Sequence, residues 1–155
     1  MRSEFQPFRP HPLLFSGHLQ TLGTALLRQR TLDIPTHQQQ FRVQTFDGDC
    51  FVLHQDRALE VAPTDTDVLL IHGLGGCHGS SYLIEMANVL LRRGFTVYRM
   101  DMRGCGDAIA ISNSITHAGR SDDVLSAINF ICDQTTDVGN ESDATLVRDS
   151  GNPNP

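Results

Sequence analysis

Val68, Leu69, Leu70 and Ile71 form an unbroken apolar run that stops at a glycine-rich turn. Phe95 to Met100 repeats the arrangement ahead of a second turn, Arg103-Gly104-Cys105-Gly106. Short apolar runs without alternation predict strands buried on both faces. Between them Leu83, Met86, Ala87, Leu90 and Leu91 recur at helical spacing. The spacing predicts a helix over 80–93, with Ser80 or Ser81 as N-cap, Glu85 in its first turns and Gly94 as its stop. A second helix is predicted from Ser121 to about Cys132, with Val124, Leu125, Ile128, Phe130 and Ile131 as its apolar stripe. Upstream, 41–46 and 50–54 are β-prone runs joined by Asp47-Gly48-Asp49, a hairpin signal. Strand, helix, strand, helix at these lengths implies βαβ units and a parallel sheet, an α/β class.

The two ends follow neither period. Residues 1–36 read as an extended arm, too rich in Phe, Pro and His to be a free tail and too broken by proline to be one helix, although 19–28 could form a short one. Residues 37–134 read as a partial α/β core. The C-terminal end carries most of the net negative charge, with five acidic residues against one basic from Asp133 onward, and residues 135–155 are rich in Asn, Pro and Gly. That composition predicts a disordered acidic tail in which only 144–147 could form a short strand.

Composition narrows the function classes. The net charge is −6, with no basic stripe, which excludes a nucleic-acid partner from the expectations. No apolar run approaches the roughly 18 residues of a membrane span, and the N-terminus lacks the pattern of a secretory signal. The four cysteines, Cys50, Cys77, Cys105 and Cys132, are scattered and form no C-x-x-C. Reduced thiols in a cytoplasmic protein are therefore expected, with no metal and no cofactor; Cys77-His78 lacks the second pair of ligands a zinc site needs.

The turn His72, Gly73, Leu74, Gly75, Gly76 admits three chemical readings. A dinucleotide loop needs a third glycine that is not in place, and a phosphate-binding P-loop needs a lysine this chain does not contain. An oxyanion-hole loop fits best: glycines let backbone N–H groups face a substrate carbonyl, with the Leu74 N–H turned into the site. A plain strand-to-helix turn is the structural alternative. Arg103, Gly104 and Cys105 close the next strand, where α/β sheets place ligands, and so could border the pocket. Alternatively Arg103 pairs with Asp101 or Asp107 at a turn. His117 precedes any nucleophile and so stands out of order for a catalytic base, and Asp122 and Asp123 sit at a helix start as cap and dipole partners.

Six motifs in series, His18-Leu19-Gln20-Thr21, Asp47-Gly48-Asp49, His72 to Gly76, Arg103-Gly104-Cys105-Gly106, His117-Ala118-Gly119 and Asp122-Asp123, resemble those of the YheT-type α/β-hydrolases over residues 5 to about 134. The resemblance implies the N-terminal part of an α/β-hydrolase fold, a mostly parallel sheet with flanking helices. It also implies esterase-type chemistry through a serine acyl-enzyme on a small-molecule ester. The family's G-x-S-x-G-G elbow is not found after the second helix. Its nearest echo, Ser150, has Arg148 where glycine is required and only five residues after it. The expectation is a chain truncated before its nucleophile and inactive alone. The alternative is a non-catalytic truncated or frameshifted product that at most binds partners. An open sheet edge at the Val68 strand would favour self-association.

Overall fold

The structure, a computed structural model, describes Ser16 and residues 31–137. The possible helix at 19–28, the segment 144–147 and Ser150 lie outside the described residues. Within them the chain forms β1 (Thr36–Gln44), β2 (Cys50–Ala58), β3 (Asp67–Ile71), α1 (Ser81–Leu91), β4 (Thr96–Asp101), a 3-10 turn (Gly106–Ala110) and α2 (Ser121–Asp137). The sheet order is β1-β2-β4-β3. β1 pairs antiparallel with β2, from Thr36 opposite Ala58 to Gln44 opposite Cys50. β2 pairs antiparallel with β4, and β3 pairs parallel with β4 through the α1 crossover. The described sheet is therefore mixed: one parallel pair beside an antiparallel hairpin.

The hairpin runs five residues further back along β1, and four further along β2, than the β-prone runs suggest. Polar His37, Gln38, Gln39 and Gln40 occupy the outer strand, where their side chains stay in water and only the backbone needs a partner. Gly48, at φ +81°, supplies the turn.

The side chains of β4 alternate between two cores. Tyr98 and Met100 join Val43, Phe51, Leu53, Ala127 and Ile131 beneath α2. Val97 joins Ala87 and Leu91 beneath α1, with Leu32, Ile34, Leu70 and Leu90 around them. The helices thus cover opposite faces of the sheet. All six residues of β4 are buried, as the apolar run predicts.

β3 differs from its prediction. Val68 to Leu70 are only half-buried and Ile71 is exposed, because β3 has one hydrogen-bonded neighbour and lies at the edge of the described sheet. The helical stripes are also rotated. α1 buries Leu83, Ile84, Ala87, Asn88 and Leu91 while Met86 is half exposed. On α2, Ala127 and Ile131 are buried but Leu125 and Ile128 face outward. Asn88 turns inward because its amide carries two hydrogen bonds to the incoming chain, accepting from Asp33 N (3.0 Å) and donating to Thr31 O (3.1 Å).

α1 begins at Ser80, but the Ser80 hydroxyl accepts the Cys77 N–H (3.0 Å) and so ties down the preceding turn rather than the helix. The helix ends at Gly94 (φ +82°), where a Cβ would come within 2.2 Å of the Ala62 carbonyl oxygen. α2 continues past Cys132 to Asp137.

Across the α1 face, buried Asp56 on β2 takes both Nε (2.6 Å) and Nη2 (3.1 Å) of Arg99 on β4 and also accepts from Gln38 (3.0 Å). Removing one member of such a pair strands an uncompensated charge. Asp56→Ala is expected to lower the unfolding free energy by about 3–5 kcal/mol, or to unfold the chain, while Asp56→Asn loses less. Urea denaturation followed by circular dichroism checks the order of the three proteins.

Candidate functional site

The parallel β3–β4 pair brings the two glycine-rich turns together at the C-terminal ends of their strands. His72 leaves β3 buried, and its ring bridges the turns. Nδ1 lies 2.8 Å from the Gly73 carbonyl oxygen, and the Met102 N–H donates to Nε2 (3.3 Å). A backbone N–H can only donate, so Nε2 is the acceptor and Nδ1 carries the hydrogen given to Gly73. His72 therefore braces the turn and presents no free ring nitrogen.

The turn itself is open. Gly73 N–H donates to the Tyr82 hydroxyl (2.7 Å), Gly76 N–H to the Gly73 carbonyl (3.0 Å), and Gly75 takes φ +72°. The Leu74 side chain is fully exposed, and among the described residues nothing accepts the Leu74 N–H. A backbone donor left open at the C-terminal end of a strand is the kind of element an oxyanion hole is made from.

Arg103 has a different role from the one its position suggested. Its side chain is buried and reaches away to the hairpin turn and the start of α2. It donates to Asp47 (2.6 Å), Asp49 (3.4 Å), Ser114 (3.3 Å) and Asp123 (2.5 Å). Neither Asp101 nor Asp107 is its partner. Burial alone would lower the Arg103 pKa, but the carboxylates of Asp47 and Asp123 outweigh it and hold the guanidinium charged. Arg120 adds a second cation on Asp47 (3.0 Å). The Asp47-Gly48-Asp49 signal is thus both a turn and an arginine clamp.

Gly104 sits at φ +70° against Ile115, and burial raises the pKa of the neighbouring Cys105 thiol. His117 is exposed, and its Nδ1 accepts the Gly119 N–H (3.2 Å), a local turn contact. Asp122 and Asp123 open α2 as expected, and Asp123 also faces Arg103.

The alpha/beta hydrolase fold model matches residues 67–138, the stretch holding both turns, β3, α1, β4 and α2. This chain carries part of an α/β-hydrolase fold. Solved structures agree in architecture. An esterase from Pyrococcus furiosus superposes with a TM-score of 0.54 at 18% identity, over 63% of this chain and 37% of that one. A cold-adapted esterase from an Arctic intertidal metagenomic library gives 0.52 at 21%, over 68% and 48%. Brefeldin A esterase, a bacterial homologue of human hormone sensitive lipase, gives 0.55 at 16%, over 79% and 36%. At these identities the likeness is one of fold, and the chain spans less than half the length of each of the three. No curated protein matches the sequence. Among the described residues no helix is long and apolar enough to cross a membrane.

In this α/β-hydrolase portion, one convergence was invisible to spacing: His54, His78, Asp101 and Asp107 meet from four separate segments. Only the placing of Asp101 at the end of an apolar strand hinted at it.

The clamp has a measurable pH signature. Asp49 accepts from the Ser114 hydroxyl (2.6 Å) and from the Asn113 and Cys50 N–H groups (both 2.8 Å). These bonds lower its pKa to about 2, Ser114 first. An unfolded carboxyl titrates near about 3.9, so below that pH the unfolded chain takes up the proton first. The stabilisation is complete above about pH 4 and is lost as the pH falls towards 2; Asp47, bound by Arg103 and then Thr45, shifts the same way. Asp49→Asn is expected to be less stable at pH 7 and to show a shallower loss between pH 4 and 2. Urea midpoints across that range check this, and an unchanged slope counts against the assignment.

Proposed function

We propose that this chain is the N-terminal portion of an esterase-type hydrolase of the YheT kind, contributing the oxyanion loop and the pocket border to carboxylic ester hydrolysis. The observation that carries the reading is a Leu74 N–H without an acceptor among the described residues, in a His-Gly-Leu-Gly-Gly turn at the C-terminal end of β3. Arg103 supports the border by fixing the turn after β4 to the hairpin and to α2, and Cys105 belongs to that same turn. The esterase neighbours in fold are consistent with a small-molecule ester as substrate.

The chemistry divides in a definite way. In acyl transfer by this fold one hole donor comes from the loop after the third strand, and the second follows the nucleophile. These 155 residues contain the first donor but no G-x-S-x-G-G elbow, and the acid and base follow the nucleophile in chain order. By themselves they form no acyl-enzyme. Purified, the chain is expected to be inert toward p-nitrophenyl acetate and butyrate and toward fluorophosphonate labelling; stoichiometric labelling of any serine, Ser150 included, overturns the reading.

The encoding DNA, read in all frames past Gln134, supplies the positive arm. A product that joins these residues to a G-x-S-x-G-G is expected to hydrolyse both esters. In it Leu74→Pro, which deletes one donor, should lower kcat about 10²–10³-fold with KM little changed. An inert joined product, or an unaffected kcat, refutes the role given to Leu74.

A second reading, a non-catalytic interaction fragment, is favoured by the free side of β3. Leu69, Ile128, Ile131 and Cys132 line an apolar groove of about 450 Å³ beside the outer edge of β3, which no described strand pairs with. An unpaired strand edge next to apolar surface recruits another chain. Sedimentation of the 155-residue chain should show concentration-dependent self-association, reduced by Ile128→Glu. A monodisperse monomer at all concentrations sinks this reading.

A further inference from the structure

We propose that His54, His78, Asp101 and Asp107 form a binding site for a divalent transition-metal ion of the zinc class. The four come from four different segments: β2, the loop ahead of α1, the last residue of β4 and the 3-10 turn. Their nearest side-chain donor atoms all lie within 4.8 Å of one another.

The hydrogen bonding at the centre is oversubscribed. Asp101 is fully buried, and its Oδ2 alone faces His54 Nε2 (3.1 Å), His78 Nδ1 (2.6 Å) and the Asp107 N–H (2.8 Å). Its Oδ1 takes the His78 N–H (2.5 Å). The Asp107 N–H and two ring nitrogens converge on one oxygen, more than its two lone pairs accept when both rings donate. A cation seated between the imidazoles and the carboxylates resolves the conflict, because each ring then offers a lone pair instead of a proton.

The charge suits such an ion, and the spacing is within a small adjustment of it. Tetrahedral zinc with bonds of about 2.0–2.2 Å holds its ligand atoms roughly 3.3–3.6 Å apart. Here His54 Nε2 and Asp107 Oδ2 are 3.6 Å apart, while the 2.6 and 3.1 Å contacts to Asp101 are hydrogen-bond distances that open by a few tenths of an ångström or more when an ion enters. Two neutral imidazoles and two carboxylates match a dication. Arg99 does not offset them, since its charge is committed to Asp56 while Nη1 donates to the His78 carbonyl (2.9 Å). Two nitrogen donors select zinc, cobalt or nickel over magnesium or calcium.

The fold makes room for the site. Gly106 has φ +49°, and a Cβ there would fall 2.2 Å from Asp101 Oδ2, so only glycine lets the 3-10 turn close over that carboxylate and deliver Asp107. The imidazoles stack with centroids 3.7 Å apart and planes 23° from parallel. An ion drawing in both nitrogens turns the rings apart, and the 630 Å³ cavity that His54 and His78 line accepts the movement. Sequence spacing could not suggest this site, because no two of the four ligands form a zinc-type pair on one element.

Cobalt(II) is the probe, titrated into the EDTA-stripped 155-residue chain. One equivalent is expected to bind with the visible bands of four-coordinate nitrogen and oxygen ligation and with release of protons; zinc should displace it and raise the melting temperature. His54→Gln and His78→Gln should each abolish the bands. Asp107→Asn, on a half-exposed side chain that accepts from Gln40 (3.3 Å), should weaken binding about tenfold or more. Absence of cobalt binding overturns the proposal. So does a thiolate charge-transfer band, which would assign the ion to Cys77 or Cys105. Equal affinity in Asp107→Asn and in the folded His78→Gln chain also overturns it.

Discussion

Strand β4 lies between β2 and β3 with all six residues out of water, and both cores, both turns and the buried ion networks hang on that placement. Its alternation divides the apolar residues between two helices, while Asp101 at its end and Arg103 just beyond carry charge into the interior. A charge taken out of water is tolerated only with partners at hydrogen-bond distance. Arg103 meets Asp47, Asp49 and Asp123, and Asp101 meets two imidazoles and two backbone N–H groups. Burial by itself would raise the Asp101 pKa, but the bonds from His54 and His78 hold it below the usual carboxylate range.

These two networks explain why the turns after β3 and β4 keep their shape with little apolar packing of their own. The His72 ring joins one turn to the backbone of the next, and Arg103 fastens the second to the hairpin and to α2. Both turns are thereby tied to neighbouring elements by side-chain hydrogen bonds. In the oxyanion role proposed for Leu74, such ties spare reorientation as charge develops.

The exposed surface has an equally physical logic. Leu125 and Ile128 on α2 and Tyr82, Met86 and Val89 on α1 are at least two-fifths exposed, and Ile71 closes an edge strand. A helix whose apolar positions exceed its buried ones is patterned for more neighbours than the described residues supply. The stripes read from periodicity and those observed differ for this reason: period marks which residues are apolar, while the available neighbours decide which of them are covered.

The elements, their order and the α/β class were legible in the chain because apolar period, turn glycines and helix caps are local properties. So was the glycine-rich turn at His72 to Gly76, whose glycines and preceding strand are contiguous. Asp47-Gly48-Asp49 was readable as a turn but not as the clamp on Arg103, whose carboxylate partners lie 20 to 56 residues away in sequence. The half-burial of β3 was equally hidden, since it depends on a neighbour rather than on Val, Leu and Ile. Only the tertiary structure could bring His54, His78, Asp101 and Asp107 to one point. A hairpin register, a parallel crossover and a positive-φ glycine act together there, and none of them leaves a spacing in the sequence.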